Sequence, residues 1–425
     1  MTRLSTYLFS WLLLLGLLAC GKKEDPTIAY YDGYAPILMD RTALEQSVSA
    51  LPARPMHEAG KIYLWGRYLF VNERFEGIHI IDNQNPAQPR PISFLRIPGN
   101  VDLAVKGNLL YADNGPDLVT IDISNPEAVQ VRGRVRNAFR ELPMPVRWAS
   151  IPTESLPENR PANSVVVGWK KVQIPYTVNP NPSIDPRWWG DGRVFMANAS
   201  STSASPGAVG KGGSLARFAI LGQTLYTVDE QSLRLFDLSN PAQPSSGSNF
   251  ALQFGVETIF PKGQYLFLGT QRGMYIFDAA VPQTPRQVAY YQHTVSCDPV
   301  VVDDRYAYVT LRSGQACGGG PNQLQVIDLT NLSQPRLART YPMTGPQGLG
   351  VDGNHLFICD KDGLKVFDTS QAPTLTQRQF FPVKVFDVIP DGGVLLAIGT
   401  EGLYQYSYTG TTLQQLSLLP ITPQL

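Results

Sequence analysis

Seven polar residues occupy equivalent positions near the starts of seven predicted strands, five or six residues before the turn that ends each one. They are Lys61, Asp102, Arg217, Glu257, Asp298, Gln347 and Asp387. If the strands surround one axis, these side chains gather in a ring at the mouth of a central channel. Four carboxylates facing two cationic side chains could coordinate a divalent cation or bind a polar ligand. The alternative is that inner strands simply begin with solvated charges.

Other motifs give no specific catalytic chemistry. The four histidines are scattered, and no pair has the i, i+4 spacing of a zinc site. The stretch GAVGKGG at 207–213 lacks the GxxxxGK[ST] spacing of a phosphate-binding loop, and we interpret it as a flexible linker. The sequence contains no GxSxG nucleophile motif and no dinucleotide fingerprint.

Two of the cysteines are predicted to form a disulfide. Cys297 opens the first strand of the fifth repeat unit, and Cys317 lies in the lengthened loop between the second and third strands of that unit. In a meandering sheet these two places emerge on the same face, and export from the cytosol would allow the bond to form. Cys359, within LFICD, is expected to be a buried apolar residue.

A long insertion, about 141–215, is rich in proline and tryptophan. It contains four of the six tryptophans, and we place a possible interface at Trp169, Trp188 and Trp189. Loops on rigid scaffolds often carry function, and aromatic side chains anchor interfaces. The alternative is a flap that packs on the scaffold. The end of the insertion, 200–214, has the composition of a disordered segment.

The elements that must position these residues come from an internal repeat. The phrase IIDNQNPAQP at 80–89 returns as LFDLSNPAQP at 235–244, with TIDISNPEAV at 120–129 between them. The aspartates of the phrase recur with a period of about 40 residues, except where the insertion interrupts it. Its members are Asp82, Asp122, Asp237, Asp278, Asp328 and Asp368, and Ser407 occupies the place in a seventh unit. Each Asp is expected to end the third strand of its unit in an Asx turn, so these aspartates are not catalytic candidates.

Four short strands in each of seven units predict an all-β fold, a seven-bladed β-propeller with four-stranded blades. A solenoid of stacked sheets is the alternative. The third strands favour the propeller because both of their faces are apolar, as in Ile78, Ile80 and Ile81. Such strands fit blades that lie between two neighbours.

The repeat also resembles a known family. LQVIDLTNLSQP, LRLFDLSNPAQP and VTIDISNPEAV are similar to LVIVD repeats. This resemblance covers about 60–421 apart from the insertion. It implies a propeller, often in exported bacterial proteins, and says almost nothing about activity.

The first residues form a predicted signal peptide. Arg3 is followed by an apolar run of 13 residues from Tyr7 to Ala19, whereas about 20 residues are needed to span a bilayer. The ending Leu17-Leu18-Ala19-Cys20 resembles the lipobox of bacterial lipoproteins, which implies lipidation of Cys20. An ordinary secretory signal with a chance cysteine is the alternative. GKKEDP after Cys20 resembles the tether of Bacteroidetes lipoproteins exported to the cell surface.

Composition narrows the class of protein. The chain has 425 residues with 35 basic and 35 acidic side chains, and this balance argues against a general nucleic-acid binder.

We divide the chain into a signal peptide, a tether with a short rim helix predicted within 34–51, and the propeller, which contains the insertion at 141–215. The boundaries are 1–19, 20–59 and 60–425, and the repeats are 60–99, 100–140, 216–255, 256–294, 295–346, 347–384 and 385–421.

These features predict an outer-membrane lipoprotein, facing the periplasm or the cell surface, that acts as a binding or assembly scaffold. Its partner would be an envelope protein or a polar ligand, with the membrane reached through the lipid on Cys20 and no nucleic acid bound. No cofactor is predicted, although a divalent cation could bind at the channel mouth. One alternative is a hydrolase or lyase that uses the ring carboxylates, and another is an adhesive surface protein.

Overall fold

The structure is a computed structural model that describes residues 28–142, 160–177, 210–253, 255–296, 299–314, 319–409 and 412–422. Seven antiparallel sheets follow one another along the chain, each built on four consecutive strands. They form the blades of a β-propeller, so the predicted fold class is confirmed and the solenoid alternative is wrong. No helix among the described residues is long and apolar enough to cross a membrane.

The elements are numbered along the chain. The N-terminal elements are β1 (Ile28–Asp40), the helix α1 (Arg41–Glu45) and β2 (Ser49–Pro52). Blade 1 contains β3 (Ala59–Trp65), β4 (Tyr68–Glu73), β5 (Gly77–Asp82) and β6 (Arg90–Arg96), and blade 2 contains β7 (Leu103–Lys106), β8 (Leu109–Asn114), β9 (Asp117–Asp122) and β10 (Gln130–Val135). The insertion contributes β11 (Ser164–Thr177) and β12 (Lys211–Gly212). Blade 3 contains β13 (Phe218–Leu221), β14 (Thr224–Asp229), β15 (Ser232–Asp237) and β16 (Ser245–Ala251), and blade 4 contains β17 (Val256–Lys262), β18 (Tyr265–Thr270), β19 (Gly273–Asp278) and β20 (Arg286–Gln292). Blade 5 contains β21 (Val300–Val302), β22 (Tyr306–Leu311), β23 (Gln323–Asp328) and β24 (Arg336–Pro342), and blade 6 contains β25 (Leu349–Asp352), β26 (His355–Asp360), β27 (Gly363–Asp368) and β28 (Thr376–Phe381). Blade 7 contains β29 (Val385–Asp391), β30 (Val394–Gly399), β31 (Gly402–Thr409) and β32 (Thr412–Pro420).

The repeated phrase forms the predicted turn after the third strand of a blade. All six of its aspartates accept a hydrogen bond on Oδ1 from the backbone N–H two residues further on, at 2.8 to 3.1 Å. These are Asx turns, which direct the chain away from the third strand and toward the outer edge of the sheet. The aspartates are therefore structural, as predicted.

The same turns also connect neighbouring blades. In five of them, the proline carbonyl accepts a hydrogen bond from a hydroxyl of the preceding blade, and we call this contact a latch. The latches are Ser93 to Pro126 at 2.7 Å, Tyr111 to Pro241 at 2.9 Å, Tyr226 to Pro282 at 2.6 Å, Tyr341 to Pro373 at 2.9 Å and Ser417 to Pro86 at 2.6 Å. The last of these joins blade 7 to blade 1, so it helps to close the ring.

Removing one latch hydroxyl is expected to weaken a single blade contact. Tyr226→Phe deletes the bond to Pro282 and keeps the ring of a fully buried side chain. We expect the free energy of unfolding to fall by about 1 kcal/mol, the net contribution of one such hydrogen bond. Chemical denaturation of wild type and variant measures this difference, and equal stabilities would show that the latch contributes nothing.

Blade 7 closes directly against blade 1. Ile62, Leu69 and Val71 of blade 1 share one buried apolar cluster with Leu396 and Ile398 of blade 7. A parallel bridge from Met56 to Ile421 adds a contact between the chain before β3 and the chain after β32. Each blade therefore buries both of its faces, which explains the apolar third strands.

β2 pairs with β6 at the outer edge of blade 1, whereas α1 and the neighbouring ends of β1 and β11 lie on one face of the propeller. We call the upper face the end where the first strands of the blades begin, and the turns between second and third strands lie there because consecutive strands are antiparallel. β1 and β11 pair with each other as a two-stranded ribbon. α1 follows β1 and is capped by Asp40, and its Arg41 binds the buried Asp117 of blade 2 through two hydrogen bonds of 2.8 Å.

Candidate binding site on the upper face

The end of the insertion runs along the propeller axis. β12 pairs antiparallel with β3 on the inner edge of blade 1. Its neighbours hydrogen-bond to other blades, with Gly210 N–H donating to Val105 of blade 2 and Ser214 Oγ donating to Asp387 of blade 7. Ser214 Oγ also accepts from Leu349 N–H of blade 6, and the carbonyl of Ala216 accepts from Ile259 N–H of blade 4. We call 210–216 the axial segment.

The linker interpretation was therefore wrong for 210–214. These residues are mostly buried and include a strand, because glycine lets the backbone approach the surrounding inner strands closely. At Gly213 an added Cβ would overlap the Asp387 carboxylate, with its Cγ only 2.7 Å away. The rest of the suspected disordered stretch, 200–209, lies outside the described residues.

The ring charges of blades 1 and 2 are brought together. Lys61 Nζ lies 2.7 Å from Asp102 Oδ2, and this oxygen also accepts a hydrogen bond from Arg217 N–H. Lys61 is only 7% exposed and Asp102 only 3% exposed. Burial lowers the pKa of Lys61 to about 8, although Asp102 opposes the shift. This part of the ring is a buried ion pair and not a row of solvated charges.

Asp113, which the sequence did not single out, supports this pair from behind. Its Oδ1 accepts hydrogen bonds from Asn100 Nδ2 and Val101 N–H, both at 2.7 Å, and from Asp102 N–H at 3.0 Å. Burial raises the pKa of Asp113 to about 6, while these hydrogen bonds lower it. The carboxyl group fixes the backbone that carries Asp102.

Asp387 has 0% exposure and is the most deeply buried of the ring residues that the structure describes. Its Oδ1 accepts hydrogen bonds from Ser214 Oγ at 3.0 Å and Val388 N–H at 2.9 Å, whereas Oδ2 has no partner among the described residues. Burial raises the pKa of Asp387 to about 8, and the bond from Ser214 lowers it only in part. The side chain is therefore mainly protonated at neutral pH.

The protonation of Asp387 predicts a pH dependence of stability. A carboxyl group whose pKa is raised on folding takes up a proton when the chain folds, so its contribution weakens as pH rises from about 4 to about 8. Asp387→Asn removes this dependence and keeps an acceptor for Ser214. Between pH 6 and pH 8 we expect the variant to gain about 2 kcal/mol relative to wild type, measured by chemical denaturation at both pH values. A stability difference between variant and wild type that is the same at pH 6 and pH 8 would contradict the raised pKa of Asp387.

The other predicted ring residues lie in less closed surroundings. Glu257 is half-buried and accepts a hydrogen bond from Gln271 Nε2 at 3.1 Å. Its charge acts on the pKa of Arg312, which burial lowers. The backbone of Gln347 bonds to the neighbouring strands through Cys359 and Thr310. Asp298 lies outside the described residues, as do Cys20, Cys297, Cys317, Trp188 and Trp189.

Two further predicted residues are described. Cys359 is a free, fully buried cysteine, as expected. Trp169 lies half-buried on β11 and donates from its indole N–H to the carbonyl of Leu142 at 3.3 Å. Within the described part of the chain, no three His, Cys, Asp or Glu side chains are grouped to hold a metal ion.

A polar cleft opens on the upper face beside this ring. It has a volume of about 480 Å³ and lies above blade 3, between the start of the insertion and blade 4. Its polar lining includes Arg140, Gln231, Arg234, Asn249, Gln253 and Gln271. Arg140 donates to Gln231 at 2.7 Å, and Gln271 connects the cleft to Glu257. No single motif could indicate this cleft, because its walls come from four separate segments of the chain.

The seven four-stranded blades and the contact between blade 7 and blade 1 define a seven-bladed β-propeller. The family model described as LVIVD repeat matches residues 99–136 and 296–343, which cover most of blade 2 and blade 5. The predicted resemblance to LVIVD repeats is confirmed in these two regions. No curated protein matches it significantly by sequence.

Solved structures share the fold at low sequence identity. The periplasmic gluconolactonase PpgL of Pseudomonas aeruginosa has a TM-score of 0.52 at 14% identity, over 85% of this chain and 96% of its own. A putative 6-phosphogluconolactonase of Bacteroides uniformis gives 0.51 at 13%, over 86% and 99%. Sqt1 of Saccharomyces cerevisiae gives 0.51 at 10%, over 87% of each chain. These similarities establish the fold alone.

Proposed function

We propose that this protein is an exported, lipid-anchored propeller that acts as a binding or assembly scaffold in the cell envelope. The polar cleft on the upper face carries the proposal. It is large enough for a polar segment of a partner, and its polar lining combines amide groups with two guanidinium groups, Arg140 and Arg234, and the carboxylate of Glu230. The rigid blades below hold these groups in place, as scaffolds for binding loops do.

The centre of the ring is less suited to a ligand than the cleft. Lys61, Asp102 and Asp387 are buried, and the axial segment occupies the space beside them. A ligand would have to displace hydrogen bonds from the axial segment to five blades before it reached these side chains. Binding in the cleft leaves all of those hydrogen bonds intact.

A pull-down from native envelope extract tests the scaffold function. The bait is the chain from residue 21 onward, compared with Ala251→Arg, which fills the cleft, and with Gln283→Arg on the opposite face as the matched control. We expect one enriched protein that is captured by wild type and by the control but lost with Ala251→Arg. Equal capture by all three would remove the cleft from the binding surface.

The second candidate is a hydrolase or lyase that uses the ring carboxylates, with a divalent cation at the channel mouth. The unpartnered Oδ2 of the buried Asp387 favours it, since perturbed carboxyl groups are common in active sites. Metal analysis of purified protein and hydrolysis of gluconolactone, the substrate type named for a protein of the same fold, test it. A bound ion or turnover that is lost in Asp387→Asn would support chemistry at the ring.

A further inference from the structure

We propose that the partner is bound through an extended polypeptide segment, which adds as a fifth strand to the outer edge of blade 3 along β16. The inference deepens the proposed function and rests on it, because the end of β16 lines the polar cleft. It states what the cleft recognises: the backbone N–H and C=O groups of an extended chain.

The chain itself shows that an outer edge of this propeller accepts an added strand. β2 pairs antiparallel with β6, the outer strand of blade 1, and Ser49 of β2 lies opposite Arg96. Arg96 also lies opposite Gly77, the first residue of β5. In blade 3, Ala251 lies opposite Ser232, the first residue of β15. Ala251 and the residues before it therefore occupy in blade 3 the place where β2 binds in blade 1.

This part of β16 has an unpaired backbone edge. Asn249 and Ala251 are exposed and line the cleft. Leu252 N–H donates to the carbonyl of Gln231 at 2.7 Å. Because bonded and non-bonded pairs alternate between antiparallel strands, the N–H and C=O groups of Ala251 and Asn249 point away from β15. No strand among the described residues pairs with that side of β16, so these groups are available to a fifth strand.

β16 also lacks the features that protect free sheet edges. Such edges commonly carry charged side chains or proline, which prevent pairing with another chain. The fourth strand of every other blade contains an arginine or a proline, whereas β16, with the sequence SSGSNFA, contains neither. Its small, mostly exposed side chains leave room for a neighbouring strand about 4.8 Å away.

The side chains beside this edge favour a polar segment. Gln231, Asn249 and Gln253 line the cleft, and each primary amide can both donate and accept hydrogen bonds. In an added strand, every second side chain faces the cleft. We expect polar residues at those positions of the partner segment, while its backbone supplies most of the affinity.

A proline at the edge tests the pairing. Ala251→Pro removes an N–H that points away from β15, so it keeps the hydrogen bonds between β15 and β16. Gln292→Pro is the matched control on the outer strand of blade 4. Gln292 lies opposite Gly273, the first residue of β19, and the next N–H, of His293, donates to Arg272 as that of Leu252 does to Gln231. Circular dichroism checks that both variants are folded.

The probe is a phage-displayed library of random dodecapeptides, selected on the chain from residue 21 onward. We expect peptides that bind wild type and Gln292→Pro equally but bind Ala251→Pro about tenfold more weakly, the effect of one or two lost hydrogen bonds. Peptides that bind all three proteins equally, or a selection that enriches no peptide, would overturn the proposal.

Methylated peptides give a readout that does not depend on a protein variant. A selected peptide is synthesised with N-methyl groups on alternate residues, in either of the two alternating sets. Only one set of N–H groups faces β16 in an added strand, so we expect one set of methyl groups to abolish binding and the other to leave it nearly unchanged. Equal effects of the two sets would contradict strand addition.

The proline variants also separate this proposal from the scaffold function when they are used in the pull-down. An envelope protein that is lost with Ala251→Arg but retained by Ala251→Pro would support the scaffold function and overturn strand addition. Peptides that bind at β16 while no envelope protein is captured would support the strand site and contradict the scaffold function. A dimer that sedimentation detects in wild type and not in Ala251→Pro would assign the edge to a second copy and overturn the proposal.

Discussion

Gly213→Val is expected to lower the free energy of unfolding by about 3 kcal/mol, the upper part of the usual range for overpacking a core. A side chain at this position would overlap the carboxylate of Asp387, which is fully buried. The axial segment would have to leave its place on β3, and the hydrogen bonds from Ser214 to blades 6 and 7 would be lost with it. Chemical denaturation at one fixed pH measures the difference.

Gly212→Ala is the control in the same axial segment. An added Cβ there lies 3.3 Å from the side chains of Ala216 and Tyr63, which requires only a small adjustment. We expect a loss of less than about 1.5 kcal/mol. Equal effects at both positions would show that close contact with Asp387 does not decide the stability of the axial segment.

Asp117→Ala is expected to cost about 3 to 5 kcal/mol, as for other buried ion pairs that lose one partner. The carboxylate is fully buried and lies 2.8 Å from Arg41 and 2.7 Å from Arg134. It also accepts a hydrogen bond from Asn137 N–H. Without it, two guanidinium groups remain in a mostly closed site, and α1 loses the ion pair from Arg41 to blade 2.

Asp122→Ala is the control for this second prediction, because Asp122 ends the same strand that Asp117 begins. Its partner Arg132 is nearly half exposed. An exposed pair contributes less than about 1 kcal/mol, and loss of the Asx turn adds a similar amount. Faster tryptic cleavage after Arg41 in Asp117→Ala than in wild type would show that α1 detaches in this variant. Equal destabilisation by both variants would contradict the central role of Asp117.

The repeat explains why the fold was predictable from sequence. Aspartates such as Asp82 and Asp237 recur at a fixed place after an apolar strand, and the Asx turn they form depends only on the residues beside them. Local signals of this kind can be recognised in the sequence alone. The hydroxyl donors of the latches, such as Tyr111 and Ser417, lie in the preceding blade and carry no such signal.

The site was only partly predictable because its properties come from contacts between distant segments. Lys61 and Asp102, which share a position in their repeats, form an ion pair. Their burial could not be foreseen, since the axial segment has a linker-like composition and takes its structure from the blades around it. Because most of the axial segment belongs to the insertion, deletion of 141–215 would remove these contacts together with the rest of the insertion.

The distribution of latches also bears on how the ring could open. Among the described residues, no latch joins blade 4 to blade 5, because Leu332 stands where other turns carry proline, and none joins blade 6 to blade 7, which lacks the phrase. The chain ends, by contrast, meet at a latched boundary between Ser417 and Pro86. A circular permutant with joined ends and new termini between blades 4 and 5 would therefore break no latch, and under mechanical load the two boundaries without a latch would separate before the latched ones.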